Sequence, residues 1–369
     1  MANLGLVMGR VNSEFWNNKR VYLTGHTGFK GSWLSLWLQS MGAIVKGYAL
    51  APPTNPSLFN VAKVMDGMES EIGDIRDLVS LQSSIRDFDP DILIHMAAQP
   101  LVRLSYLEPV ETYSINVMGT VNVLESAKKC SSLKAIVNVT TDKCYENKEW
   151  VWGYREDEPM GGYDPYSSSK GCAELVTSAY KRSFFNDELS PALSSARAGN
   201  VIGGGDWADD RLIPDILRAF DCHEPVSIRN PLSTRPWQHV LEPLSGYLLL
   251  AQQLFEHGHR FSGAWNFGPL DDDVKPVNWI LDHMVESWGA GANWSIDADG
   301  HPHEAGYLKL DCSKANTYLN WHPTWNLAST LNKIVSWHKA WKLGENMRIH
   351  CLNEIEQYNK EVNRKIYDR

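Results

Sequence analysis

Arg20-Val21-Tyr22-Leu23-Thr24-Gly25-His26-Thr27-Gly28-Phe29-Lys30-Gly31 is the stretch that decides the fold. Its first five residues read as a compact strand, and a glycine-rich turn follows at once. Ser32–Ser40 then has helical character. The glycines fall as G-x-x-G-x-x-G. Gly25 permits the tight turn, and Gly28 lets backbone N–H groups approach a pyrophosphate. Gly31 allows close packing of helix on strand. Thr27 and Phe29 complete the loop, and His26 and Lys30 are candidates to contact phosphate or ribose. A ribose-anchoring acid is expected about 20 residues on. Gly47-Tyr48-Ala49-Leu50-Ala51-Pro52-Pro53 stands there, with neither an acid nor an arginine for a 2′-phosphate. The fingerprint alone therefore leaves NAD and NADP open.

Outward from this turn, short β-rich runs alternate with helical stretches. Strands are expected at Ile44–Ala49, Glu69–Ile72, Ile92–Met96, Ala135–Thr140 and Leu193–Ala198. Helices are expected at Leu78–Phe88, Glu108–Cys130 and Tyr163–Phe185. Apolar strands alternating with helices imply an α/β fold, a doubly wound parallel sheet of Rossmann type covered on both faces. The pattern breaks at Gly203-Gly204-Gly205. A cofactor domain is expected over 1–205 with a return at about 237–258. A smaller mixed α/β substrate domain is expected over 206–236 and 259–345, and a charged tail over 346–369.

The 369 residues are 43% apolar and 21% charged, ordinary for a globular protein. A net charge of −9 argues against nonspecific nucleic-acid binding but leaves room for one basic pocket. No run nears the roughly 18 apolar residues of a membrane span, and nothing before Phe15 reads as a signal peptide. Six cysteines are scattered with no C-x-x-C pair, which suits reduced thiols and the cytoplasm.

Tyr166-Ser167-Ser168-Ser169-Lys170 is the most informative chemical segment. On a helix, positions i and i+4 share a face. The Lys170 ammonium is expected to lower the Tyr166 phenol, so that it can take a proton from a hydroxyl as hydride leaves that carbon. Bringing a phenol from about 10 to near 7 takes roughly 4 kcal/mol of differential stabilisation.

These residues, with Gly73-Asp74, His95-Met96-Ala97-Ala98 and Asn116-Val117-Met118-Gly119-Thr120, resemble the extended short-chain dehydrogenase/reductases. The resemblance implies that Asp74 and Ile75 bind adenine and that Ala97, Ala98 and Gln99 line the cofactor. It places Asn116 beneath the active-site helix and implies NAD. Thr141-Asp142-Lys143 narrows the resemblance to the sugar-nucleotide 4,6-dehydratases, in which the threonine bonds the reacting hydroxyl and an acid–base pair follows it. Trp150–Arg155, Pro159–Pro165, Ala198–Trp207 and Arg235-Pro236-Trp237-Gln238-His239 resemble the branch acting on CDP-glucose. The activity implied is internal hydride transfer from C4 to C6 with loss of water, a step of deoxysugar synthesis such as that of the 3,6-dideoxyhexoses of lipopolysaccharide O-antigen.

Asp142 is then the acid for the departing C6 hydroxyl and needs a raised pKa. Lys143 stands where the base belongs. It must be neutral to take the C5 proton, or stay charged and stabilise the enolate. The resemblance puts Asn200 on the sugar or diphosphate, Leu212 and Ile213 near the base, and Arg235 on the diphosphate, where its planar fork suits phosphate oxygens. Arg211 belongs to the expected substrate set as well. Arg229, His239 and Tyr307 complete the expected substrate set. His301-Pro302-His303-Glu304 brings metal-ligand types together, but the chemistry needs no metal and none is expected. The resemblance also implies a homo-oligomer, a dimer or tetramer, through the helices Glu108–Cys130 and Tyr163–Phe185. A 4-epimerase would share the glycine turn and the Tyr–Lys pair but has no use for Asp142-Lys143. A non-catalytic binding module would not need Thr141, Tyr166 and Lys170 together.

Overall fold

The computed structural model describes residues 9–289, 291–296 and 307–367. Its centre is a seven-stranded parallel sheet. Six strands are β1 (Arg20–Thr24), β2 (Ile44–Ala49), β3 (Glu69–Ile72), β4 (Ile92–His95), β5 (Ala135–Val139) and β6 (Ala192–Arg197). The edge strand Gly263–Asn266 pairs with β6, and the order is edge–β6–β5–β4–β1–β2–β3. Strand order reverses between β1 and its neighbours β4 and β2, so a crevice opens at the carboxyl ends of β1 and β4. β4 and β5 are buried along their whole length, as parallel strands covered on both faces must be.

The edge strand corrects the expected boundary, which put 259–345 outside the sheet domain. Gly-Ala-Trp-Asn is short and has no β-branched residue, so it carries no strand signal. The helix expected over Glu108–Cys130 is broken as well. Helices Val102–Leu107 and Pro109–Tyr113 meet at Glu108, and Ser114–Met118 is a wider turn leading into Gly119–Ala127. Pro109 suits a first helical turn and cannot sit inside a helix. The expected 346–369 tail contains a 21-residue helix, Met347–Tyr367. Met347, Cys351, Ile355 and Tyr358 form its buried stripe, with Tyr358 edge-on to Trp37 at 5.6 Å.

A separate apolar cluster joins the helix Leu212–Asp221, the short strand Val226–Ile228 and the helix Val277–Trp288. No helix among the described residues is long and apolar enough to cross a membrane. All six cysteines are unpaired.

Candidate active site

The glycine-rich loop leaves β1 and enters the helix Phe29–Ser40. Gly25 has φ +78°, and a Cβ there would lie 2.7 Å from the Ala97 nitrogen. A Cβ at Gly31 would lie 2.1 Å from the Gly25 carbonyl oxygen. Gly28 is different: its Cβ would meet only the Gly25 oxygen, at 3.5 Å, and no side chain caps the helix it starts. The uncapped N–H groups and the positive end of the helix fit a pyrophosphate. Thr27 Oγ1 donates to the Leu50 carbonyl at 2.8 Å. Phe29 lies against Gly203.

Two loop residues depart from expectation. His26 is buried, its Nε2 2.7 Å from Ser70 Oγ and its ring over Gly47. Burial lowers it to about 4, so its side chain is a neutral packing group rather than a phosphate ligand. Lys30 is buried near Lys170, Arg211 and Asp142. Burial, with Lys170 and Arg211 nearby, lowers it to about 7, and its Nζ lies 5.6 Å from the Tyr247 ring centre.

At the adenosine end, Asp74 takes both Arg76 Nε and Nη2, the latter at 2.6 Å. Arg76 holds its carboxyl below the usual range, so Asp74 stands as a charged acceptor at this end of the crevice. Ile75 is buried against Gly119. Ala97 N–H donates to Thr24 Oγ1 at 3.2 Å, and Ala98 follows it along the crevice. Gln99 differs from expectation. Its side chain is spent on Leu101 and Thr112, and its backbone on Asn116. Asn116 clamps that backbone, accepting from Gln99 N–H at 2.9 Å and donating to Gln99 O at 3.0 Å and Ser169 Oγ at 2.9 Å. It therefore ties the crevice to the catalytic helix.

That helix is Pro165–Ser183. Asp164 caps it by accepting the Ser167 N–H at 2.9 Å, and Pro165 fits its first turn. Tyr166, Lys170 and Glu174 follow at i, i+4 and i+8, all buried on one face. Burial pushes Tyr166 up to about 12, opposed first by a hydrogen bond with Thr141 and then by Arg211. Thr141 thus leads the lowering expected of Lys170. Lys170 is itself pushed down to about 8 by burial, with Glu174 and Cys144 working upward.

β5 delivers Thr141 to the same point. Thr141 Oγ1 donates to Asp142 Oδ1 at 2.9 Å and accepts Lys143 N–H at 3.3 Å, closing a single turn over Asp142–Cys144. Asp142 is buried against Gly199, where a Cβ would lie 1.8 Å from its Oδ2. Burial raises its pKa, with Lys143 and Arg235 opposing. Lys143 is half-buried beside it.

On the substrate side, Arg211 pairs with Asp206 at 2.9 Å, and its charge reaches Tyr166 and Lys30. Leu212 is half-buried at the start of its helix. Asn200 has φ +43°, and its buried Nδ2 has no hydrogen-bond partner among the described residues. Tyr307 bridges Thr234 through the backbone, next to Arg235. Arg229 follows the strand Val226–Ile228 and is half-buried. His239 departs from expectation: it is fully buried, with Nε2 2.9 Å from Glu354 Oε1 and its ring 4.8 Å from that of Trp325. It belongs to the core. The His301–Glu304 segment lies outside the described residues.

Lys143, Arg235 and Lys30 thus face one buried acid, Asp142, with Lys170 and Arg211 beside Lys30, in a chain of net charge −9. The family profile described as GDP-mannose 4,6 dehydratase matches residues 23–334. The chain belongs to this family. It is a sugar-nucleotide 4,6-dehydratase of the extended short-chain dehydrogenase/reductase group. It is 63% identical over 352 residues to a CDP-glucose 4,6-dehydratase of Salmonella typhimurium, spanning 94% of this chain and 98% of that one. It is 26% identical to a probable dTDP-glucose 4,6-dehydratase of Sinorhizobium fredii, over 85% of this chain and 91% of that one. A dTDP-glucose 4,6-dehydratase of Bacillus anthracis, solved in complex with NAD, superposes with TM-score 0.73 at 22% identity, over 89% of this chain and 99% of that one.

Arg197, Tyr145 and Asn266 form a buried network behind the centre that sequence reading missed.

Proposed function

We propose that this dehydratase converts CDP-D-glucose to CDP-4-dehydro-6-deoxy-D-glucose with NAD, within deoxysugar synthesis. The carrying observation is the buried acid Asp142, raised in pKa, beside Thr141 and Tyr166. A 4-epimerase has no use for such an acid. The match to the Salmonella enzyme over nearly the whole of both chains supports the choice of cytidine.

NAD, when bound, supplies the hydride acceptor for C4 and the hydride donor for C6. The uncapped turn at Gly28 would receive its pyrophosphate, Asp74 its adenine and Lys170 its nicotinamide ribose. Thr141 orients the C4 hydroxyl, and Tyr166 takes its proton. The C4 ketone acidifies C5–H, and Lys143 takes that proton. Asp142, its pKa raised by burial, gives its proton to the C6 hydroxyl, which leaves as water. The proton held by Lys143 then returns to C5, and the centre resets as Tyr166 gives up the proton taken from the C4 hydroxyl and Asp142 takes one up. Arg235 holds the diphosphate, Arg211 stands beside Tyr166 on the substrate side, and Asn200 Nδ2 donates to sugar or phosphate.

The protein acts as a homo-oligomer in this proposal. Leu107 and Val110 are 80% and 82% exposed, and Leu175 on the catalytic helix stands out as well, giving an apolar face for a second copy. Unpaired cysteines suit the cytoplasm.

The test is incubation with CDP-, dTDP-, UDP- and GDP-hexoses followed by mass spectrometry. Loss of one water from CDP-glucose, far faster than from the others, is expected. Water loss confined to another nucleotide sinks the cytidine assignment. An isomer of unchanged mass would make the protein an epimerase.

A further inference from the structure

Behind the reacting residues lies a buried ion pair that the mechanism does not use. Glu174 and Arg197 have side chains only 4% exposed and meet at 2.8 Å. Glu174 Oε2 also accepts the Ser195 hydroxyl at 2.7 Å, and Oε1 accepts the Thr140 hydroxyl. Arg197 Nη1 donates to Tyr145 Oη at 2.7 Å and to the Glu156 carbonyl at 2.9 Å. Tyr145 donates onward to Asn266 Oδ1 at 2.7 Å.

A buried pair is weak as a stabilising device, because desolvation offsets its attraction. Its placement points elsewhere. Glu174 is one helical turn from Lys170, and both are buried on the same face. Thr140 immediately precedes Thr141-Asp142-Lys143, and Tyr145 follows the turn they form. One carboxylate therefore joins the helix carrying Tyr166 and Lys170 to the strand end carrying Thr141 and Asp142.

We propose that Glu174, locked by Arg197, is a positioning residue of the dehydratase reaction, holding the Lys170 ammonium and the Thr140–Asp142 strand end in register. It touches neither substrate nor cofactor and acts through Lys170 and Thr140. Lys170 is faced by Lys30 from the glycine-loop helix, His95 from β4, Cys144 after β5 and Glu174 on its own helix. Among these Glu174 is the carboxylate, and burial leaves its charge little screened.

The inference rests on the dehydratase reading, so it is tested on parent enzyme first shown to release water. A parent that releases none sinks that reading and not this one. Glu174→Gln removes the charge and nearly keeps the shape. The basic limb of its kcat profile is expected to move down by about one pH unit or more, because Lys170 loses its proton sooner. Its kcat should fall about tenfold or more while KM for the nucleotide sugar changes little. Thr140→Val cuts the strand link without touching a charge. It is expected to lower kcat with the basic limb unmoved. A folded Glu174→Gln enzyme with the parent's basic limb overturns the proposal. Where Glu174→Gln does not fold, Thr140→Val decides: a kcat equal to the parent's overturns it, and a lowered kcat on an unmoved limb upholds it.

Discussion

Asp142 and Lys143 are neighbours in sequence but face different surroundings. Asp142 is closed in against Gly199 and favours its neutral form, whereas Lys143 is half-buried. The first suits a group that gives a proton to a leaving hydroxyl, and the second a group that meets the sugar from the open side. Lys143→Met should therefore leave C4 oxidation measurable and slow C5 exchange with deuterated water by about 10²–10⁴-fold, followed by NMR. Undiminished exchange would remove the base role from Lys143. Thr141, Asp142, Lys143, Tyr166 and Lys170 are legible in sequence because each group is contiguous or spaced one helical turn apart. His239 misleads for a related reason. It adjoins Arg235 in the chain, yet on the strand Gln238–His239 successive side chains point to opposite faces. Gln238 donates to the Gly199 and Phe267 carbonyls, and His239 turns to Glu354 in the core.

Among the elements, the strand–turn–helix at the N-terminal end is the most local and the most legible. Its three glycines nevertheless serve separable ends. At Gly31 an added methyl meets backbone, at 2.1 Å from the Gly25 oxygen and 2.8 Å from His26 Cα. Gly31→Ala should cost about 1–3 kcal/mol of stability, read as a fall in the urea midpoint. At Gly28 the methyl has room and φ is −76°, so Gly28→Ala should melt close to the parent and lose NAD affinity, read by calorimetry. Equal losses of stability in the two variants would contradict this division. The broken helix around Glu108 shows where element-scale reading stops. The apolar spacing runs on through Pro109, but Asn116 is drawn aside to bond Gln99 and Ser169, a demand set by residues distant in the chain.

Across the whole molecule, the C-terminal helix Met347–Tyr367 closes over the sheet domain through polar as well as apolar contacts. Tyr358 donates to Glu242 Oε2 at 2.7 Å, and Glu242 also accepts the N–H groups of Thr324 at 2.9 Å and Trp325 at 2.7 Å. Charged residues surround that helix's buried stripe and mask it in the sequence. Burial pushes Glu242 from 4.5 up to about 7. The folded state then holds this proton more tightly than the unfolded chain does. Its contribution is whole below about pH 4.5 and is lost as pH rises to about 7, some 3 kcal/mol in all. Glu242→Gln cannot titrate. The stability difference between parent and variant should shift by that order between pH 4.5 and 7, measured by urea unfolding. A difference independent of pH would contradict the assignment. The partners of this junction, like the Glu174–Arg197–Asn266 network, come from elements far apart in sequence, which is why neither was legible there.

In the proposed reaction a single centre takes a hydride from C4 and returns it to C6 of the same sugar. CDP-glucose carrying deuterium at C4 and carbon-13 throughout the hexose, mixed with unlabelled substrate and examined by mass spectrometry and NMR, shows whether the deuterium stays with its own carbon skeleton. The label should appear at C6 of a product lighter by one water, with no crossover between molecules. Label retained at C4, or lost to solvent, would contradict the account.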